Sequence, residues 1–277
     1  MAYNTAYDLE SMVVNAKQAA VYTATENSLF LGGELIPTIQ LPAGSITAQV
    51  PLLGAVTAEV IGSADPDAYD DFTANTLTDD SKTITASIYA ARHIMRDLGG
   101  IDPAETGRVL GNAVAKKFDQ DAVTAMGTPV AAAGNTTPSE AAADGGLTVD
   151  VLIDAVAAIR GRGEMGQLTG LVGSAAAAEL IKSIGSNAYA GADFQNEALR
   201  NGFIGTFAGV RLFQTAYVTT SKAMVFGEDF ARIAMFKNLD LEVQRRAEAV
   251  GNDVVASLHT GLGVVDADRA QLITTTP

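Results

Sequence analysis

The chain has 277 residues, a formal net charge of −14, 48% hydrophobic and 18% charged residues, and no cysteine. That length can bury a large core in one large domain or two smaller ones. The missing cysteine excludes disulfides, thiolate catalysis and thiolate-held metals, and the acidic field disfavours nucleic-acid phosphates and anionic membranes as bulk partners.

The first ten residues carry neither a basic segment nor an apolar core, so they do not read as a signal peptide. No apolar run approaches the ~20 residues that span a bilayer. Both points lead us to expect a soluble protein made in a cytoplasm, with no membrane partner.

Residues 1–31 read as an arm. Leu9, Met12, Val13, Ala16 and Ala20 give residues 8–23 a weak helical spacing, which breaks at Asn27, Gly32 and Gly33. So few large apolar side chains cannot form a core alone.

From Gln18 to Ser81 there is no Lys or Arg, while Glu26, Glu34, Glu59, Asp65, Asp67, Asp70, Asp71, Asp79 and Asp80 fall within the same stretch. Residues 36–41, 45–50 and 82–88 alternate apolar with polar, as half-buried strands do, and turn formers at 62–67 mark a tip. One reading is a long two-stranded excursion, marginal alone in water and therefore expecting a basic or neutral partner surface. The other is a pair of strands folded back onto the chain's own sheet with a solvated acidic loop. The pattern leaves both open.

The strongest helix signal follows. Asp102, Pro103 and Glu105 fit an N-cap, a proline at the first helical position and a capping-box acid. Leu110, Val114, Phe118 and Met126 recur on one face, with Val109, Ala113 and Ala122 beside them. Gly127 and Pro129 predict the end, giving a helix over 102–127 that is roughly 36 Å long. Residues 130–146 read as a small-residue linker between subdomains. A second helix starts at a Thr148 cap, presents Val151, Leu152, Ala155, Val156 and Ile159, and stops at Gly161. Residues 168–172 read as a strand. Ser174 caps a third helix, with Glu179, Leu180, Ile181 and Ile184, that ends at Gly185. Strand-like segments follow at 203–207, 210–213, 224–226, 233–236, 239–243, 254–258 and 262–265. The pattern is mixed α+β, without an internal repeat.

Catalytic signals are thin. His93 and His259 have no partner pattern and read as ordinary strand residues. Ser174 lacks the flanking spacing of a nucleophile elbow. The glycines at 161, 163 and 166 have dinucleotide-loop spacing but follow a helix, so a helix end and loop is the plain reading. No acid/base pair stands out among the many carboxylates. No cofactor or metal site is expected. Arg160, Arg162, Lys116, Lys117, Arg245 and Arg246 are basic spots in an acidic chain. They read either as solvated surface or as docking ground for an acidic segment.

Four runs in the C-terminal half carry a resemblance: GVRLFQ at 209–214, KAMVFGED at 222–229, LDLEVQRR at 239–246 and VVASLHTGLGVVD at 254–266. They resemble the second half of tailed-phage major capsid proteins of the Hong Kong 97 type, and the order of elements before them is similar to that family's layout. The resemblance implies an N-terminal arm at 1–31 and an extended loop at 32–97 that reaches over a neighbouring subunit. It implies a peripheral domain from 98–146 and 237–261, with the spine helix at 102–127, and an axial domain from 147–236 and 262–277. It also implies a virion shell protein, assembled in the host cytoplasm, that forms hexamers and pentamers around DNA without reading its sequence. Portal, scaffolding and decoration proteins would be further partners. Asp65, Asp67, Asp70 and Asp71 on one subunit and Arg245, Arg246, Lys116 and Lys117 on another are the expected inter-subunit contacts. Some family members cross-link through a loop lysine; here no loop lysine precedes Lys82, so a non-covalent shell is expected. The competing readings are an encapsulin-like compartment shell, an enzyme of another family, and a surface-layer protein.

Overall fold

The computed structural model describes residues 6–42, 44–52, 80–96, 102–138, 146–186, 203–218, 222–246, 248 and 251–274. Its longest helix, α2 (Pro103–Ala132), opens as the sequence predicts: the Asp102 carboxylate accepts from the Ala104 N–H at 3.0 Å and Pro103 takes the first helical position. Glu105 does not complete a capping box but pairs with Arg108 at 3.3 Å. Leu110, Val114, Phe118, Ala122 and Met126 are buried, whereas Val109 is 57% exposed and Ala113 also faces outward.

The expected stop at Gly127 is corrected: α2 carries Pro129 inside it and ends at Ala132. Proline removes one N–H from the helical ladder. Burial supplies what the ladder lacks, because Val130 is fully buried and pins the last turn. The exit comes at Gly134, in the left-handed region at φ 76°, where the Ala133 N–H returns to Pro129 O at 3.0 Å. Thirty residues make α2 about 45 Å long.

Helix α1 (Ala6–Asn27) lies along α2, and the seam is made of small residues. Ala16, Ala20 and Ala24 are buried in it. A Cβ on Gly107 would stand 2.1 Å from Ala16 O, and one on Gly111 2.3 Å from Ala20 O. Further along, Ser28 donates to Asp119, 91 residues away in sequence, the same offset as the two glycine contacts. The two helices therefore run parallel in one register.

A four-stranded sheet has the order β1 (Thr38–Gln40), β10 (Ala231–Arg246), β11 (Gly251–Val264), β4 (Ser87–Arg96). Only β1 is parallel to its neighbour. The segments expected at 233–236 and 239–243 are one strand. Register shifts between Met235 and Lys237 and between Lys237 and Asp240 place Lys237 and Asn238 outward in succession, and this break in alternation imitates a strand end. The segments at 254–258 and 262–265 likewise fuse into β11.

The stretch 32–97 contributes to two sheets. Residues 38–40 and 87–96 belong to the sheet, and the ribbon is β2 (Thr47–Leu52) paired antiparallel with β3 (Asp80–Thr85). The described strands thus fold back onto the chain's own sheet; the acidic loop between them and its expected partner surface lie outside the described residues. The ribbon is seated on the sheet by Ala48 and Ile84, buried with Ala234 and Phe236. Ile84 fits there because β11 offers glycine below it. A Cβ on Gly263 would meet Ile84 at 2.6 Å, and one on Gly261 would meet Thr85 O at 2.3 Å.

A six-stranded sheet has the order β5 (Thr136–Pro138), β12 (Ala270–Thr274), β9 (Ala223–Gly227), β6 (Leu168–Gly173), β8 (Val210–Thr215), β7 (Phe203–Phe207). Strand β5 lies within the stretch read as a linker, pairing in parallel with β12. Helices α3 (Val149–Gly161) and α4 (Ser174–Ser186) share a core with this sheet through Leu152, Ile159 and Leu180. Thr148 caps α3 as expected, accepting from Val151 N–H at 3.4 Å. Along α4, Ala176, Ala177 and Leu180 are buried, whereas Ile181 is 39% exposed. Between the two sheets, Phe118 and Met126 of α2 share one apolar cluster with Leu171, Met224, Phe226, Phe230, Ile233 and Leu272.

Candidate inter-subunit surfaces

The end of the four-stranded sheet gathers arginines that are far apart in sequence. In register, Arg96 of β4 lies opposite Gly251 of β11, which lies opposite Arg246 of β10. Arg92 grips Asp253 with two donors: Nε reaches Oδ1 at 2.8 Å, and a terminal N–H reaches Oδ2. Arg246 stands 3.9 Å from both Asp253 and Glu248. The hydrogen bond from Arg92, then the charges of Arg92 and Arg246, hold the Asp253 carboxyl below its ordinary range. Arg245 lies opposite Asn252. Arg245 and Arg246 were legible in the sequence, whereas Arg92 and Arg96 were not. The strand expected at 82–88 stopped short of them, and only non-local pairing brings β4 to this end.

The other basic candidates divide. Lys116 and Lys117 are exposed on α2, away from the arginine end, and Lys117 pairs with Asp121 at 2.7 Å. Arg162 bonds within the chain. Its guanidinium donates to Asp268 O at 2.6 Å, Ala270 O at 2.8 Å and the Gln271 amide oxygen at 2.8 Å, tying α3 to β12. Arg160 turns back to Glu164 O at 3.0 Å. Asp65, Asp67, Asp70 and Asp71 lie outside the described residues.

Two polar clasps hold the arm helix. At one, Lys17 meets Asp240 at 2.7 Å, and Lys237 meets the other carboxylate oxygen at 3.0 Å. Hydrogen bonds from Lys17 and then Lys237 pull the Asp240 carboxyl down to about 2. At the other, Asp119 is 1% exposed. It accepts from Ser28 Oγ at 2.6 Å and Leu29 N–H at 3.0 Å, while Ser28 Oγ accepts from Phe30 and Leu31 N–H. Burial pushes the Asp119 carboxyl up, against these hydrogen bonds. Sequence reading missed Asp119, because an acid on an apolar helix face gives no local sign of what it caps 91 residues away.

The histidines stay apart. His93 of β4 pairs with Val254 and is exposed; His259 of β11 pairs with Ile88 and is half-buried. Among the described residues, no group of three or more His, Asp and Glu could hold a metal. The loop after α3 turns at Gly163, φ 95°, and Glu164 folds back onto Gly166 N–H at 2.8 Å and Arg269 at 3.1 Å. It is a helix end and loop, as expected. No described helix is long and apolar enough to cross a membrane.

No family model matches the chain, and no curated protein matches it in sequence. Solved structures do match it. The capsid of the cyanophage P-SCSP1u aligns at TM-score 0.62 and 15% identity, over 88% of each chain. A structure from Mycobacterium phage Cain aligns at 0.65 and 15%, over 99% of each. A virus-like particle from Pyrococcus furiosus aligns at 0.64 and 10%, over 94% of this chain and 98% of that one. The chain therefore has the fold of phage capsid shells. Arm, ribbon, long helix and two sheets together are the Hong Kong 97-type capsid fold.

Proposed function

We propose that this chain is the major capsid protein of a tailed double-stranded DNA phage, forming the hexamers and pentamers of an icosahedral shell, and that it is not an enzyme. The observation that carries the reading is the structural match to the cyanophage capsid over 88% of this chain and 88% of that one. The arm would be 1–31 and the extended loop 32–97. The peripheral domain would be 98–146 with 237–261, and the axial domain 147–236 with 262–277; both inner boundaries fall within the long strands β10 and β11. The acidic loop residues Asp65, Asp67, Asp70 and Asp71 would meet Arg245, Arg246, Lys116 and Lys117 of a neighbouring copy. The shell would be virion-borne, assembled in the host cytoplasm, held without covalent cross-links, and served by portal, scaffolding and decoration proteins. Electron microscopy of the expressed chain, alone and with its neighbouring genes, should show rings or closed shells. A stable monomer with a ligand in a pocket would overturn the proposal.

The match to the Pyrococcus furiosus particle favours a second reading, a non-viral compartment shell. Nuclease-protected DNA inside native particles supports the phage reading; particles filled with protein support the other.

A further inference from the structure

An apolar cavity lies where α1, the first turn of α2 and the end of the four-stranded sheet meet. Val13 and Ala16 wall it from α1, and Val243 and Val254 from the sheet. Thr106 and Asn252 also face it. Thr106 is 4% exposed. Its Oγ1 and the Asn252 Oδ1 are buried and have no hydrogen-bond partner among the described residues. Three other helix threonines spend their hydroxyl on the carbonyl four residues back: Thr25 on Val21 at 2.9 Å, Thr124 on Gln120 at 3.0 Å and Thr128 on Thr124 at 3.0 Å. Thr106 does not; the Asp102 carbonyl takes its backbone N–H instead, at 3.2 Å.

Buried polar atoms without partners are rare and costly, and two facing one cavity point to an occupant that satisfies both. The cavity leaves about 30 Å³ in which the centre of a water can sit, against the ~10–15 Å³ that one water needs. That is far below the ~300 Å³ of a metabolite pocket. An amide oxygen only accepts, whereas a hydroxyl both donates and accepts. A water suits the pair: it can donate to Asn252 Oδ1 and exchange its second bond with Thr106 Oγ1. We propose that an ordered water bridges Thr106 and Asn252 and is a structural part of the joint that holds α1 and α2 to β11.

The test is high-resolution imaging of the full-length protein, together with urea unfolding of Thr106→Val, Asn252→Leu and the double variant. A density peak within hydrogen-bond reach of both atoms is expected. Each single change strands the water with one partner, while the double change leaves a dry apolar pocket. The effects on the unfolding constant should therefore miss additivity by at least about threefold. Additive effects, an empty cavity or a side chain filling it would overturn the proposal. If the valine variant does not fold, Thr106→Ser keeps the hydroxyl and must keep the density; its loss would count equally against the bridge.

Discussion

Gly107 of α2 approaches Ala16 of α1 so closely that a single added methyl would stand 2.1 Å from the alanine carbonyl oxygen. The arm helix thus rests on backbone rather than on interlocking side chains. Gly107→Ala, and Gly111→Ala after it, should push α1 off the spine. A loss of about 1–3 kcal/mol is expected for an overpacked seam. Urea unfolding reads the loss, and faster proteolysis within residues 6–27 reads the detachment. Unchanged resistance would show that the seam yields without cost.

Asp119→Ala leaves the Ser28 hydroxyl and the Leu29 N–H without their acceptor, a cost of about 1–3 kcal/mol. Asp119→Asn keeps one acceptor oxygen and should lose less. The pH dependence has a fixed sign. Burial raises the folded carboxyl above its unfolded value, so its favourable contribution is fully present below the unfolded pKa and is lost as pH rises through the folded one. The stability of the asparagine variant relative to the parent should therefore improve as pH climbs through that window. A difference that stays flat with pH would refute the assignment.

Asp240 behaves in the opposite sense. Its folded value, lowered to about 2, contributes stability above the unfolded carboxylate value, and that contribution disappears as pH falls through the folded one. Lys17 is 49% exposed, so Lys17→Ala should cost only about 0.2–1 kcal/mol. The difference should shrink in high salt and in strong acid. Thermal melts at two ionic strengths check it.

Gly263→Val places a branched side chain where Ile84 sits. The ribbon base should lift from β10 and β11 while both sheets remain. Near-native circular dichroism with loss of particles in the microscope is the expected pair of results. Normal particles would show that the seat of the ribbon does not matter to assembly.

Reversing Asp65, Asp67, Asp70 and Asp71 to lysine should block assembly while leaving a folded subunit. Reversing Arg245 and Arg246 to glutamate in the same chain should restore part of it. Normal shells from the aspartate variant alone would remove charge from the account of that contact.

What could be read in advance followed locality. The cap at Asp102, the cap at Thr148 and the buried face through Leu110, Val114, Phe118 and Met126 are set by neighbours within one or two turns, and they were legible. The end of α2 was not, because burial of Val130 overrides the proline at 129. Nor was the continuity of β10, whose bulge at 235–240 breaks the alternation on which strand reading depends. The arginine end was half legible: two of its members are adjacent in sequence, while Arg92 and Arg96 arrive only through pairing with β11. Asp119 gave no signal at all, since its partners are set by the parallel run of α1 beside α2.

That parallel run has a mechanical consequence. Ala16 faces Gly107 and Ala20 faces Gly111, while Ala24, four residues further on, is buried in the cluster that holds Ala115. Sliding α1 by one repeat, about 6 Å along its axis, would set alanine on glycine again. Within the small-residue stretch, shape alone would accept a second stop; the buried Phe30, packed in the cluster of Phe118 and Met126, opposes it. Lys17 on Asp240 and Ser28 on Asp119 add to that choice and act as detents. With both released, the buried Phe30 would be left as the anchor of the arm's register.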